Sequence, residues 1–330
     1  MITGRFIYRS GQKNRYRYAN KDGSAISTDD LPEHATHLAI PPAWKDVTIA
    51  KSPNAKVLAT GIDAAGRKQY LYNPKFRSRQ DEAKFDRIVQ FGSRLSRMRQ
   101  ITRKHLDRPE LDREKVLACM LRLIDQAYFR VGNERYVEEN STYGLTTMRM
   151  RHVSVEDGQL IFRFVGKSHQ EHELEVDDAS LARVVEELQE LPGSHIFSYI
   201  NEENAHVDVD SQDVNDYIKE VMDDEFSAKD FRTWAGTLIA ASCLSETNIP
   251  RLKKDREVSI RTAIERASEA LGNTPEIAKK SYIDPRILQL YRNGESLTPT
   301  MDRLKRKSKR SSEDDLSVEE QALILVLKKL

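Results

Sequence analysis

Gly166-Lys167-Ser168 is the closing half of a phosphate-binding loop, the first place in this chain where a nucleoside triphosphate would be held. The opening glycine of such a loop is replaced by Ile161, and the segment joins two strand-like stretches instead of opening a helix. ATP and GTP binding are therefore excluded here. The eight histidines form no HxxxH or HxxEH group. His169 and His172 share one turn with no third ligand nearby, and the abundant Asp and Glu fall at helix-surface spacing, so no metal site is expected. What remains for chemistry is a set of separate cations and one tyrosine. Arg130 ends an apolar helix just before Gly132. Lys167 stands at a hairpin tip. Arg232 lies early in a helix, in Lys229-Asp230-Phe231-Arg232, and Tyr282 follows Lys279-Lys280-Ser281 just before Asp284-Pro285. Taken singly, each has an ordinary explanation: a cation complementing a helix dipole, an exposed turn residue, a salt-bridged helix residue, a tyrosine packed at a helix end.

The elements that must position these residues fall into two blocks. Phe6–Tyr8, Arg15–Tyr18, His37–Ile40, Val47–Ala50, Val57–Thr60 and Gln69–Tyr72 are short, β-rich and punctuated by Gly, Asn, Asp and Pro. They predict a small β domain over residues 1–78, closed by Asn73-Pro74. Residues 79–330 read as mainly helical. Apolar residues recur at helical spacing from Asp81 to Arg103, and again at Val116, Leu117, Met120, Leu121, Leu123, Ile124 and Ala127. A three-stranded meander is expected over Leu145–Val155, Gln159–Val165 and His172–Val176. Helices follow near 178–191, 211–223, 228–246, 257–271 and 284–292. Pro275 and Pro285 are placed to open helices, and Gly193 and Gly272 to stop them. The tail carries a basic run, Arg303–Arg310, and then a C-terminal helix over 316–330.

The 330 residues are 38% hydrophobic and 32% charged, enough for two domains with a sizeable core. No run of ~18 apolar residues offers a membrane span, and the first residues carry no leader-like apolar stretch. The two cysteines, Cys119 and Cys243, suit a reducing compartment. The net charge of +1 hides an asymmetry. Ala64–Lys104 holds 12 Lys/Arg against 3 Asp/Glu, whereas Glu171–Asp230 holds 19 Asp/Glu against 3 Lys/Arg. A basic surface for a polyanion, with an acidic flank that the polyanion avoids, is the functional reading of that contrast.

Arg130, the hairpin Lys167, Lys229-x-x-Arg232 and Leu271-Gly-Asn273-Thr-Pro-x-Ile-x-Lys-x-x-Tyr282 occur in an order that resembles the type IB DNA topoisomerases, most closely their poxvirus-like viral and bacterial branch. Ile40-Pro41-Pro42-Ala43-Trp44, the stretch Ala59–Tyr70 and Arg130-Val-Gly-Asn-Glu-Arg-Tyr136 are also similar to that branch, so the likeness covers nearly the whole chain. It implies an α+β protein: a β-rich N-terminal domain and a mainly helical catalytic domain, with the meander, closing as a C-shaped clamp on duplex DNA. One departure stands out. The pattern usually has His nine residues before the tyrosine, where this chain has Asn273, a neutral donor that cannot become cationic.

The resemblance implies ATP-independent relaxation of supercoils through a 3′-phosphotyrosyl intermediate. Tyr282 is then the nucleophile, Arg130 and Arg232 stabilise the pentacoordinate phosphorane with Asn273 as a weaker donor, Lys167 is the general acid, and Lys229 assists. Neither a cofactor nor a metal is required. Arg67, Lys68, Gln69, Tyr70 and Tyr72, on or beside one strand, are the expected DNA readers. Gln69 suits an adenine edge and the cations suit phosphates. Tyr136 matches a DNA-contacting position near the active site. The expected partner is double-stranded DNA bound by a monomer, with no membrane, in a bacterial cytoplasm at the nucleoid or, for a virus, in the host cell or virion. The rival reading is a tyrosine recombinase. That family has His-x-x-Arg where this chain has Lys229-x-x-Arg232, and its N-terminal part is helical where this one reads as β.

Overall fold

Alternating apolar and polar residues build a six-stranded antiparallel sheet at the start of the chain. Its strands are β1 (Phe6–Ser10), β2 (Arg17–Ala19), β3 (Ala25–Ile26), β4 (Lys45–Ala50), β5 (Val57–Ile62) and β6 (Lys68–Tyr72), in the order β3-β2-β1-β4-β5-β6, with a one-turn helix α1 (Glu33–Thr36) before β4. Ile7, Ala35, Val47, Ile49 and Ala59 form its core. The computed structural model describes residues 5–11, 15–64, 66–222, 226–307 and 314–330; for residues 77–83, Arg135, Tyr136 and Lys307 it describes the backbone alone. The chain divides into two units, Met1–Lys84 and Phe85–Leu330.

The strand expected at His37–Ile40 does not form. Pro41 and Pro42 follow it and offer no backbone N–H, and the Ile40 N–H turns back to the Leu38 carbonyl at 2.8 Å. Leu38 and Ile40 still pack on the core, so the apolar spacing is that of a coil segment. Trp44 lies over Gly61, where a Cβ would come within 2.8 Å of its ring.

The second unit is helical around one large core. Its elements are α2 (Pro74–Leu106, which begins in the first unit), α3 (Arg113–Ala127), α4 (Glu134–Asn140), the antiparallel meander β7 (Val153–Glu156), β8 (Gln159–Gly166) and β9 (Gln170–Val176), then α5 (Ala179–Gln189). There follow the hairpin β10 (Ser198–Ile200) and β11 (His206–Asp208), α6 (Ser211–Val221), α7 (Ala228–Cys243), α8 (Lys253–Ala270), α9 (Pro275–Ser281), α10 (Pro285–Arg292), α11 (Thr298–Lys307) and α12 (Val318–Leu327). α3 is its central helix, with Lys115–Leu121, Leu123 and Ile124 all buried.

The expected strand Leu145–Val155 is mostly something else. Two single turns of tight helix, Leu145–Thr147 and Met150–His152, occupy it, and only Val153–Glu156 pairs with β8. Side chains satisfy the backbone there in place of a ladder: Gly144 N–H donates to Thr147 Oγ1 at 2.9 Å and Arg149 N–H to His152 Nδ1 at 3.1 Å. Part of the basic run, Lys305 and Arg306, is exposed in α11; Ser308–Arg310 lie outside the described residues.

The C-terminal helix packs within this unit. Arg99 of α2 donates to both Asp125 of α3 (2.8 Å) and Glu320 of α12 (2.8 Å), with all three side chains largely buried.

Candidate active site

The site is assembled where α3 stops. Tyr128 caps the helix in the left-handed conformation, φ 59°, and its N–H reaches Ile124 at 3.1 Å. The chain then runs extended past Arg130, held by Leu145 N–H on the Arg130 carbonyl (2.8 Å) and Thr146 N–H on the Val131 carbonyl (2.6 Å). Gly132, at φ 102°, and Gly144 meet backbone to backbone; a Cβ on Gly144 would lie 2.5 Å from the Gly132 Cα. Arg130 is thereby fixed by its main chain before its side chain makes a contact.

Two arginines grip one turn. Arg130 Nη2 donates to the Gly272 carbonyl at 2.9 Å and to Asn273 Oδ1 at 2.7 Å. Arg232, on α7, donates Nη2 to the Leu271 carbonyl and Nη1 to the Tyr128 carbonyl, both at 2.5 Å. Neither guanidinium has a carboxylate among these partners. Burial, joined by the charge of Arg232, pushes Arg130 down to about 10. Burial likewise lowers Arg232, which is 5% exposed. Both are desolvated with no carboxylate partner among the described residues, and Tyr282 is the group whose interaction works against that desolvation, an arrangement that favours an anion.

Tyr282 arrives from the other side. It ends α9, its N–H bound to the Ala278 carbonyl at 2.9 Å, and its carbonyl accepts from Thr237 Oγ1 at 3.1 Å. Arg232 and Gly236 lie one turn apart on the same face of α7. A Cβ at Gly236 would sit 2.9 Å from the Tyr282 Cβ, so the glycine is what lets α9 close on this face. The Arg232 guanidinium carbon lies 5.2 Å from the centre of the Tyr282 ring.

Lys167 is exposed at the β8–β9 turn, where Ser168 (φ 65°) and His169 (φ 55°) take left-handed conformations. It shares with Arg130, Arg232 and His172 the lining of a small cavity of about 30 Å³, and with Arg130, Asn133 and Tyr143 that of an adjoining cleft of about 240 Å³. Two buried donors in this neighbourhood, Arg232 Nε and Asn273 Nδ2, have no hydrogen-bond partner among the described residues.

The structure thus brings Arg130, Arg232, Asn273 and Tyr282 into one chain of contacts and sets Lys167 on the wall of a cavity that Arg130 and Arg232, though not Asn273 or Tyr282, also line. Lys229 is not drawn in: it is exposed on the first turn of α7 and lines neither space. The Tyr136 side chain lies outside the described residues. His172, weighed in the sequence only as a metal ligand, lines the cavity instead; its position five residues past Lys167, across the hairpin from Phe164, was the available signal. Among the described residues no group of three or more His, Cys, Asp or Glu is arranged to hold a metal ion.

In the first unit, strand alternation divides the expected DNA readers. Lys68, Tyr70 and Tyr72 are exposed on one face of β6, and Gln69 faces the other way. Tyr70 and Tyr72 stack with ring centres 6.0 Å apart. On the other face Gln69 Nε2 and Arg67 Nε both donate to Asp63 Oδ2 at 2.9 Å. These hydrogen bonds, led by that from the Arg67 backbone N–H, hold the Asp63 carboxyl below the usual range.

Residues 73–308 match the family model of the eukaryotic DNA topoisomerase I catalytic core, and residues 15–63 that of the bacterial DNA topoisomerase IB N-terminal domain. The chain belongs to the type IB DNA topoisomerases, isomerases that relax supercoiled DNA by cutting and resealing one strand. It is similar to DNA topoisomerase 1B of Acanthamoeba polyphaga mimivirus, 31% identical over 300 residues that cover 89% of each chain. It is also similar to DNA topoisomerase 1B of vaccinia virus strain Copenhagen (25% over 280 residues, 81% of this chain and 84% of that one) and to DNA topoisomerase 1 of rabbit fibroma virus (24% over 311 residues, 86% and 92%). The recombinase reading is not favoured by these matches. No described helix is long and apolar enough to cross a membrane.

Proposed function

We propose that this chain cleaves duplex DNA with Tyr282 as nucleophile, Arg130, Arg232 and Asn273 as donors to the phosphorane, and Lys167 as general acid. The Tyr282 Oη attacks the scissile phosphorus, the Oη–P bond forms, and the bond from phosphorus to the 5′ oxygen breaks. The phenolic proton passes to solvent. The 5′ oxygen takes its proton from the Lys167 ammonium and leaves as a hydroxyl. Rotation of the free strand and reversal of the same steps reseal the DNA with the bond energy conserved.

The observation that carries this reading is a pair of buried donors without a hydrogen-bond partner among the described residues, Arg232 Nε and Asn273 Nδ2, on the two residues that contact Tyr282 and Arg130. A buried donor left without an acceptor costs about 1–3 kcal/mol. Two such donors, one on the Arg232 guanidinium itself and one on the amide held by Arg130, are preorganised for an oxyanion, and preorganised donors cost nothing to reorient when the charge develops. Lys229, exposed and outside the cavity, fits a phosphate contact better than a part in the chemical step.

The N-terminal unit fits a DNA reader, with Lys68, Tyr70 and Tyr72 presented on one exposed face and Gln69 and Arg67 clipped to Asp63. The protein acts as a monomer on DNA, in a bacterial cytoplasm or in a virus-infected cell. The test is Tyr282→Phe, which keeps the ring and removes the reacting oxygen. It should bind duplex DNA and yield no covalent adduct after denaturation. Plasmid relaxation by this variant near the parental rate would overturn the assignment.

A further inference from the structure

His172 is the ring against which the two halves of the site are spaced. It lies on β9, stacked on Phe164 of β8 with ring centres 5.0 Å apart and planes 19° apart. Gly166 precedes Lys167, and a Cβ there would come within 2.6 Å of His172 Cδ2 and 2.7 Å of its Nε2. Gly272 precedes Asn273 and gives its carbonyl to Arg130, and a Cβ there would come within 2.6 Å of His172 Cε1. The imidazole therefore occupies the space that a side chain would take at two glycines. One carries the hairpin of Lys167, the other the turn held by both arginines. Separations this short are decided by the ring's thickness and place, since interiors are packed too densely to absorb a displaced ring.

We propose that His172 is a positioning residue for Lys167: wedged between Gly166 and Gly272, it sets the distance from the lysine-bearing hairpin to the Arg130–Asn273 turn. This rests on the reading of Lys167 as the acid that protonates the leaving 5′ oxygen. Shape is the operative property of the ring, and its partners are a stacked phenyl ring and two backbone segments. Among the described residues no hydrogen bond ties either ring nitrogen to a fixed partner, so an aromatic ring of similar size can replace it.

The experiment measures single-turnover cleavage of an ordinary duplex and of a duplex with sulfur at the 5′-bridging position, whose thiolate leaves without a proton. His172→Ala should slow cleavage of the ordinary duplex by about 10²-fold, the scale expected when a reacting group shifts by about 1 Å. The sulfur substrate should recover most of that loss, because only the acid has been displaced. His172→Phe should retain activity on both substrates. Gly166→Ala should show the same sulfur-rescued defect, and combining it with His172→Ala, which vacates the contested space, should cleave faster than Gly166→Ala alone. That mutual relief is not expected of two variants that merely fold badly. Equal slowing of both substrates by His172→Ala, failure of His172→Phe, or a double variant worse than either single one would each overturn the proposal. Lys167→Ala is the control. If sulfur does not rescue it, the assignment of the acid fails; if sulfur rescues it but not His172→Ala, the positioning role alone fails.

Discussion

Arg130 donates to Asn273 Oδ1 at 2.7 Å, and that bond decides which way the Asn273 amide points. A guanidinium has donors and no acceptor, so the atom facing it must be oxygen. The Nδ2 group is then turned away, buried and without a hydrogen-bond partner among the described residues. Where the resemblance leads one to expect an imidazole, this chain has an amide whose orientation is set by Arg130.

Asn273→Asp tests that lock. The carboxylate still accepts from Arg130 but offers no donor and adds a negative charge beside the phosphate. Cleavage should fall by about 10²–10³-fold, the usual loss for an oxyanion donor, with DNA affinity at low salt changed far less. Rapid-quench cleavage rates beside filter binding check it, and an unimpaired rate would remove Asn273 from the transition state.

Asp63 performs the mirror operation on Gln69. A carboxylate only accepts, so the Gln69 atom facing it must be nitrogen, and Oε1 with one N–H is left for a base edge. Asp63→Ala and Gln69→Ala should both alter which sequences are cleaved, by about 1–3 kcal/mol of discrimination per bidentate contact. Lys68→Ala should weaken all sites alike and lower the salt slope by about 1. A cleavage-site map on a mixed duplex pool at two salt concentrations separates these outcomes.

His172 is held below its usual range by burial first, then by the charges of Arg130 and Arg232. Its folded form resists the proton that the unfolded chain accepts near pH 6.5. The stabilisation from the neutral ring is therefore complete above about pH 6.5 and is lost as pH falls through the lower folded value. The melting temperature should drop less between pH 7.5 and pH 5 in His172→Phe than in the parent. His105 and His152, also held low mainly by burial, contribute equally to both proteins and cancel in the comparison.

The C-terminal helix is predicted to be part of the catalytic unit's stability. Glu320→Ala leaves Arg99 with Asp125 alone in a largely buried setting, and breaking such a network costs about 3–5 kcal/mol. Arg99 outweighs the burial of Glu320 and holds its carboxyl below the ordinary value. The contribution is thus present above the unfolded value near pH 4.5 and disappears as pH falls through the folded one. In urea melts the gap between parent and variant should be constant from pH 7 to about pH 5 and narrow as the pH falls below about 4.5.

The sequence by itself carried the two-part organisation, because strand alternation and helical spacing are local properties that each segment expresses alone. It also singled out Arg130, Lys167, Arg232 and Tyr282 as candidates, since their order and flanking motifs are legible on one line of text. It misplaced strands at His37–Ile40 and Leu145–His152, where a local turn before two prolines that lack the ladder N–H, and side-chain caps, replace strand pairing in ways that apolar spacing does not record. Only the tertiary structure revealed which face of β6 Gln69 occupies, the direction of the Asn273 amide and the wedging of His172 between two glycines. Each of these depends on groups brought within about 3 Å by folding, from six residues apart for Asp63 and Gln69 to 143 for Arg130 and Asn273, and hydrogen-bond direction and steric contact at that range are fixed by packing.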